Sequence, residues 1–418
     1  MPTPFPPHLP SQPGPEDAPG GPPPTLRVPL WLLASITFSG TVGMYIFVPA
    51  MPQAAEALGG SAGAMQLTVS LYVLGLALGQ PVYGPLADRF GRRPVLVGGL
   101  SLYVLAGLLA ALAPDAGTLV VARLFQALGG CAGVVLGRAI VRDTSAPREA
   151  ARRLALLNLM VTAGPGLAPL IGAAVAATAG WRIVLLLLCA LGVANLFFTW
   201  RLLPETGQST GSPAAAIIRD YGRLALSPVF LGYAFLGGCM TTAAYAFFSA
   251  APFIFRELGR PDHEVGLYLA VLVIGISLGN VVASRVIGRA SLDGVLRWAG
   301  AASLASAALL LAVVLSGGLT VGWAMGCMFA FTICTGIGGP SALGQAIGVN
   351  PRVVGSASGL YGFVQMAVGA VCSALAGVGP DPALAAALVT FGAALAGQVA
   401  FRVALRSKRQ GGAAGAGD

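Results

Sequence analysis

The chain has 418 residues, of which 56% are hydrophobic and only 9% are charged, and its mean hydropathy is +0.81. A water-soluble protein carries about 25% charged residues because its surface has to be hydrated. This composition excludes an ordinary soluble protein and predicts one that is embedded in a lipid bilayer. The net charge of +9 comes almost entirely from arginines in short clusters between apolar runs, so we expect no nucleic-acid partner.

The first segment along the chain is polar and rich in proline. Residues 1–24 contain eleven prolines and no apolar core. Such a composition is typical neither of a signal peptide nor of a folded domain. We therefore expect residues 1–25 to form a disordered cytoplasmic tail.

Twelve apolar runs follow the tail. About 20 residues at 1.5 Å each cross a hydrocarbon core of about 30 Å, and each run has roughly that length. The runs lie near 26–50, 66–86, 95–113, 118–140, 154–179, 182–203, 228–255, 265–287, 295–316, 319–347, 356–378 and 382–405. The predicted fold class is an all-α membrane protein with twelve transmembrane helices.

The longest polar interruption inside this region divides the runs into six and six. We predict an N-terminal half at 26–203, a cytoplasmic linker at 204–227, a C-terminal half at 228–405 and a cytoplasmic tail at 406–418. Two six-helix halves are the layout of a transporter whose substrate path runs between related repeats.

The distribution of arginine predicts the orientation in the membrane. Arginines recur in the loops after the even-numbered runs, whereas the loops after runs one, three and nine contain no Lys or Arg. Positively charged loops stay on the cytoplasmic side. We expect both termini to be cytoplasmic in a multi-pass protein of the bacterial inner membrane, although Arg256 and Arg260 after run seven depart from the trend.

No pattern of an enzyme or of an ATP-driven pump is visible. The six cysteines all lie inside apolar runs without a CxxC spacing, and the two histidines lie in a proline-rich tail and a polar loop. A nucleophile with a base, or a GxxxxGK[ST] loop, is missing as well. We expect no enzymatic activity, no metal and no cofactor.

The most specific segment is Gly84-Pro85-Leu86-Ala87-Asp88-Arg89-Phe90-Gly91-Arg92-Arg93-Pro94, between runs two and three. We expect Gly84 to let two helices approach and Gly91 to permit a sharp reversal. Asp88 can accept from the N–H groups of a helix N-terminus or pair with a neighbouring arginine. A charged cytoplasmic turn without any further role would show a similar composition.

From Gly84 to Arg93 this segment matches the signature loop G-x-L-A-D-R-x-G-R-R/K of the major facilitator superfamily. Residues 72–80, 247–253 and 355–359 resemble the bicyclomycin/chloramphenicol-resistance branch, a group of twelve-helix drug:proton antiporters. The resemblance covers about 26–405 and implies the major facilitator fold. It also implies a gating role for the signature residues Gly84, Asp88, Arg89, Gly91, Arg92 and Arg93.

The fifth run contains Gly164, Pro165, Pro169 and Gly172. The stretch from Ala168 to Gly172 is similar to the element that marks antiporters in this superfamily. Prolines remove backbone donors and bend a helix. A bent packing helix without a special role is the alternative interpretation.

The fourth run contains Arg123 and Gln126, which resemble the R-x-x-Q-G element of the family. An arginine inside the membrane costs roughly 2.5–3.5 kcal/mol on insertion scales. The resemblance implies that Arg123, together with Asp88, relays protons or contacts an anion. Alternatively, Arg123 extends outward to the membrane surface.

The first run departs from the branch. Relatives carry an Asp before the stretch that here reads Met44-Tyr45-Ile46-Phe47-Val48-Pro49, and this chain has Gly43 in front of it. No carboxylate lies well inside any run, which leaves Glu56, Asp88 and Asp143 at the edges. Proton coupling either uses these edge carboxylates or is replaced by another route.

Polar and aromatic residues inside the runs are candidates for substrate contact. The residues that we predict to bind substrate are Tyr45, Gln126, Tyr245, Phe248 and Gln365. We also expect run ten to be interrupted at Gly336-Ile337-Gly338-Gly339-Pro340, because interrupted helices often border transport sites.

The predicted function is a secondary active transporter that exports small amphiphilic drugs in exchange for protons by alternating access. The alternative is a transporter of the same fold for one metabolite, such as a sugar or a nucleobase. The expected partners are the lipid bilayer, the small-molecule substrate and protons, and we expect a monomer.

Overall fold

The computed structural model describes residues 28–145, 147–206, 214–286, 290–349 and 354–414. These residues form fifteen α-helices, which are α1 (Leu30–Tyr45), α2 (Met51–Leu58), α3 (Ala62–Phe90), α4 (Arg92–Ala111), α5 (Ala116–Thr144), α6 (Pro147–Ala179), α7 (Trp181–Leu202), α8 (Ala214–Ala225), α9 (Pro228–Thr242), α10 (Ala244–Glu257), α11 (Asp262–Val286), α12 (Leu292–Leu315), α13 (Val321–Gly348), α14 (Val354–Leu375) and α15 (Pro382–Ala414). The predicted tail at 1–25 lies outside the described residues.

The prediction of twelve membrane-spanning helices is confirmed. Eleven segments of the described chain are long and apolar enough to cross a bilayer, and α6 adds the shorter apolar stretch Gly166–Ala179. In two cases a pair of helices forms one span, because α1 continues into α2 and α9 continues into α10. The remaining helix, α8, connects the halves.

The interruptions lie in spans one and seven. Span one passes from α1 through a single 3₁₀ turn at Val48–Ala50 into α2, and Pro49 and Pro52 stand at the starts of the last two elements. Proline has no N–H for an intrahelical hydrogen bond, so the α-helical hydrogen bonding is interrupted there and resumes in α2. The expected interruption of span ten is wrong, because α13 continues through Pro340 to Gly348. The glycines of this span serve close packing instead, since Gly336 abuts the backbone of α11 at Ile276.

Glycines allow the helices of each half to approach closely, as their small-xxx-small spacing predicts. A Cβ on Gly75 of α3 would lie 2.5 Å from the carbonyl oxygen of Leu124 in α5, and one on Gly129 would lie 2.5 Å from the Tyr103 nitrogen of α4. These separations leave no room for a methyl group. The glycine content is therefore a packing requirement of the bundle.

The two halves pack together along two pairs of helices. The contacts between α3 and α14 and between α6 and α11 are the most extensive across the halves. On the second pair, Gly266 of α11 packs against the backbone of Pro169 in α6.

Two elements at the predicted linker and tail are helical. The linker contains α8, whose Leu224 is buried with Phe230 of α9. The last helix, α15, continues to Ala414, and its Lys408 lies 3.2 Å from Asp293 of α12. The domain boundaries predicted from the sequence remain predictions.

Candidate functional site

Two ends of the bundle have different chemistry. We call the end with Arg92 and Arg142 the arginine-rich end, and the end with Glu56 and Asp262 the opposite end. Helices α1, α4 and α9 begin at or near the first, and helices α3, α5 and α13 begin at the second.

Three of the predicted substrate residues form one aromatic cluster across the halves. The ring centroid of Tyr45 in α1 lies 6.2 Å from that of Tyr245 and 6.3 Å from that of Phe248, both in α10. The Tyr245 and Phe248 centroids are 6.4 Å apart. All three side chains are nearly buried. The two interrupted spans therefore meet through aromatic rings.

A fourth predicted residue, Gln365 of α14, lies beside this cluster. Its side-chain Nε2 donates to the Thr241 hydroxyl at 2.7 Å, and its backbone carbonyl oxygen accepts from the Thr242 hydroxyl at 3.0 Å. One turn further along α14, Gly369 packs against the Tyr245 ring. Threonines of α9 thus hold Gln365 next to the junction of α9 and α10.

Arg123 does not extend to the membrane surface. Its side chain is completely buried, and its guanidinium donates to the carbonyl oxygen of Gly43 and, at 2.7 Å, to Gln126 Oε1. The guanidinium carbon lies 4.2 Å from the Tyr72 ring centroid and 5.6 Å from that of Phe47. Carbonyl oxygens and π faces stabilise this cation in place of a carboxylate.

Gln126 lies apart from the aromatic cluster. It is completely buried, with its amide beside Gly107 of α4 and hydrogen-bonded to Arg123. The structure thus places it within the N-terminal half. Its predicted role in substrate binding stays a prediction.

The missing Asp of span one has a structural counterpart in Tyr72. A Cβ on Gly43 would overlap the Tyr72 hydroxyl, which donates to the carbonyl oxygen of Gly40 at 2.9 Å. An Asp at residue 43 would force Tyr72 to move. The tyrosine therefore occupies the space in which a carboxylate would lie beside Arg123.

The predicted antiporter residues of α6 face two different helices. Gly164 packs against Thr41 of α1, and Gly172 abuts the Ile46 carbonyl so closely that a Cβ would overlap it. Pro169 faces α11 of the other half. The side chain of Pro165 lies outside the described residues.

The signature loop forms a network at the arginine-rich end. Arg92 lies 2.6 Å from Asp88 in α3 and 3.0 Å from Asp143 in α5, so one guanidinium bridges two helices. Asp88 thus pairs with an arginine, which is one of the two interactions that we predicted for its carboxylate. Burial and the negative charge of Asp88 also raise the pKa of Tyr221 in α8. Arg89 stacks on Phe90 at 5.2 Å.

The N-terminus of α4 is capped by Glu205, a residue of the linker that the sequence did not single out. Its carboxylate accepts the backbone N–H groups of Arg92 at 2.8 Å and Arg93 at 3.3 Å. Gly91 makes the reversal before α4 with a φ of +93°. The expectation for Gly84 is wrong, because a Cβ there would meet nothing within 4 Å.

An ion pair joins the halves at the opposite end. Glu56 of α2 lies 2.5 Å from Arg256 of α10, and both side chains are at least half exposed. Among the described residues it is the one ion pair that links the two halves. The sequence showed Arg256 only as an exception to the charge rule.

Known proteins are similar to this chain in sequence. The model of the Major Facilitator Superfamily matches residues 33–374. The chain is 32% identical over 275 residues to a chloramphenicol resistance protein of Pseudomonas aeruginosa, covering 63% of this chain and 62% of that protein. It is 25% identical over 362 residues to a bicyclomycin resistance protein homolog of Haemophilus influenzae, covering 84% and 89%.

A solved structure supports the fold. The crystal structure of a D-xylose-proton symporter matches 88% of this chain and 95% of its own with a TM-score of 0.69 at 14% sequence identity. At this identity the likeness shows the fold alone. Proteins of the matched family are transporters and not enzymes. The chain is a member of the major facilitator superfamily, and its resemblance is to the bicyclomycin/chloramphenicol-resistance branch.

Proposed function

We propose that this protein exports small amphiphilic compounds from the cytoplasm by alternating access, in exchange for protons. The observation that carries the proposal is the aromatic cluster of Tyr45, Tyr245 and Phe248, to which both halves contribute. Relatives named for chloramphenicol and bicyclomycin resistance support the export of drugs.

The chemistry of the cluster suits substrates that are mostly apolar with a few polar groups. Aromatic rings supply apolar contact area, and the hydroxyls of the two tyrosines and the amide of Gln365 supply a small number of hydrogen bonds. Because the rings belong to different halves, a rocking motion of the halves would separate them. Binding and opening would then be coupled through the same side chains.

We place the cytoplasm at the arginine-rich end, since positive loops are retained there. The aromatic cluster and the Glu56–Arg256 pair then close the external side. In this orientation a compound enters between the halves from the cytoplasm. The inner membrane is the proposed location, with both termini cytoplasmic.

Proton exchange would use carboxylates at the edge of the membrane. Every Asp and Glu that the structure describes lies at or near a helix end, except Asp220 in the middle of the linker helix α8. Asp88 and Asp143 share Arg92, so protonation of either would weaken a link between α3, α4 and α5. We propose Asp88 as the first of these groups, with Arg123 as a fixed positive charge on α5.

The test uses acidified inverted vesicles that contain the protein. Addition of chloramphenicol-like, quinolone and cationic-dye compounds should release protons, and vesicles from a vector control should not. Phe248→Ala should abolish the response, whereas Phe197→Ala, a lipid-facing residue of α7 that is 52% exposed, should not. Proton release with a single sugar or nucleobase would favour the metabolite transporter. No response from inserted protein to any compound would refute proton-coupled drug export.

A further inference from the structure

A groove runs between α3 and α4 at the arginine-rich end of the bundle. Its volume is about 390 Å³, and its lining includes Tyr83, Leu86 and Phe90 from the last turns of α3 and Pro94, Val95 and Gly98 from the first turns of α4. The Tyr83 hydroxyl is the one polar side-chain group among these six residues. The aromatic cluster of the proposed substrate site does not include this groove.

The groove opens toward the lipid. Leu86 and Phe90 are 37% and 57% exposed, and Pro94 and Gly98 are exposed as well. Both helices span the membrane, and α4 packs mainly on α5 and α7 of its own half. The groove therefore lies at the periphery of the bundle, where hydrocarbon chains surround an exposed apolar surface.

Gly98 leaves room in the wall of the groove. A Cβ on Gly75 or Gly129 would collide with a neighbouring helix, but one on Gly98 would meet no protein atom within 4 Å. The φ of Gly98 is not positive either. Neither packing nor a turn therefore requires a glycine at this point of α4, although glycine weakens the interior of a helix. The missing side chain widens the groove on its lipid-facing side.

A cation without a carboxylate partner stands at the mouth of the groove. The guanidinium carbon of Arg89 lies 5.2 Å from the ring centroid of Phe90, which lines the groove. Arg89 is exposed, and none of the ion pairs among the described residues includes it. The nearby carboxylates of Asp88 and Asp143 pair with Arg92 instead. An anion outside the protein can therefore reach the donors of Arg89.

We infer that this groove binds an anionic phospholipid of the cytoplasmic leaflet, with one acyl chain against Gly98 and the phosphate on Arg89. The planar donors of a guanidinium match two oxygens of a phosphate. Basic pockets between membrane helices on the cytoplasmic side are suited to anionic head groups. The inference goes beyond the proposed export function. It shares with that proposal only the orientation, with the cytoplasm at the arginine-rich end.

The test compares two phospholipids that differ only in the head group. Palmitoyl-oleoyl phosphatidylglycerol is anionic, and palmitoyl-oleoyl phosphatidylcholine has the same acyl chains without a net charge. Native mass spectrometry of the full-length protein, titrated with each lipid in detergent, gives the affinity of the first bound molecule. The phosphatidylglycerol should bind roughly tenfold more tightly, the size of one charge-assisted contact.

Variants locate the site. Gly98→Leu fills the groove and should weaken phosphatidylglycerol binding by roughly fivefold or more. The control for this change is Gly326→Leu on α13, another exposed helical glycine with no protein atom within 4 Å of its Cβ position; it should leave the affinity unchanged.

The charge is tested separately. Arg89→Gln should remove most of the preference for phosphatidylglycerol over phosphatidylcholine. Arg89→Lys should keep part of it, because the charge remains and the planar donors are lost. The matched control is Arg285→Gln, which removes an exposed arginine of α11 at the same end and should not change the preference.

Equal binding of the two phospholipids by the native protein would overturn the inference, whether or not any variant folds. An equal loss of binding in Gly98→Leu and Gly326→Leu would overturn the assignment to this groove. Displacement of phosphatidylglycerol by millimolar sn-glycerol 3-phosphate would show a site for free phosphates and not for a lipid. None of these measurements depends on transport, so a negative result here leaves the proposed export function to its own vesicle test.

Discussion

The ion pair between Glu56 and Arg256 predicts how the opposite end of the bundle responds to charge. The two side chains are 64% and 50% exposed and lie 2.5 Å apart. An exposed pair contributes about 0.2–1 kcal/mol. Glu56→Gln should therefore shift the equilibrium between closed and open states of this end toward the open state by up to about fivefold.

Reversal of the charge should have a larger effect. In Glu56→Arg the attraction is lost and a repulsion of similar size is added, so the shift reaches about 2 kcal/mol, or roughly 30-fold. Arg256→Gln in the same chain removes the repulsion and should return the shift to that of Glu56→Gln. Asp262 lies near both Glu56 and Arg256, so it would attract the new arginine and the shift of about 2 kcal/mol is an upper limit.

The equilibrium is measured as a distance between spin labels. Labels at Ala57 and Ser316, which are exposed at this end in the two halves, report the separation by double electron–electron resonance. The six buried cysteines are replaced by alanine beforehand. Glu264→Gln, which removes a charge at the same end from a contact within α11, is the control. An unchanged distance distribution in Glu56→Arg would refute the idea that this pair holds the end closed.

Three further predictions concern the N-terminal half. Asp88→Asn should leave the protein inserted and change its melting temperature little, since Arg92 keeps its second partner, but transport should be lost; undiminished export in vesicles would exclude a gating role. Arg123→Ala should destabilise the protein by about 2–4 kcal/mol because it leaves buried carbonyl oxygens unpaired, whereas Arg123→Lys should insert normally. An Arg123→Ala protein that melts at the same temperature as the native protein would contradict this. Hydrogen bonds from Thr118 lower the pKa of Asp115 at the start of α5, so Asp115→Ala should lower the melting temperature at pH 7. That difference should disappear as the pH falls below the lowered pKa, and a difference that persists in acid would refute the assignment to the charged carboxylate.

Much of the site was predictable because short segments carry it. The signature loop is contiguous, and its arginine pairing follows from residues four apart on one helix turn, Asp88 and Arg92. Tyr45, Tyr245 and Phe248 were predicted because aromatic residues inside the apolar runs are candidates for substrate contact. The sequence did not predict that these rings contact each other, because Tyr45 and Tyr245 are 200 positions apart and meet only through the packing of the two halves.

Other parts of the site depend on contacts that no local pattern reveals. Glu205 caps α4 from more than a hundred residues away, and Arg256 pairs with Glu56 from 200 residues away. The role of Gly84 was misjudged because a glycine has the same sequence signal whether or not a neighbour approaches it. The break predicted in span ten was wrong for a related reason, since glycines and a proline occur in closely packed helices as well as at the ends of helices.

The sequence alone determined the membrane environment, the twelve spans, the division into halves and the family. These properties depend on the length and apolar composition of single segments. The lipid bilayer imposes both on each spanning helix separately. Only the tertiary structure decided which face of each helix packs against its neighbours. That packing brings Tyr72 into the space beside Gly43 and places Glu56 next to Arg256, because side-chain contacts between distant helices are set by packing and not by sequence spacing.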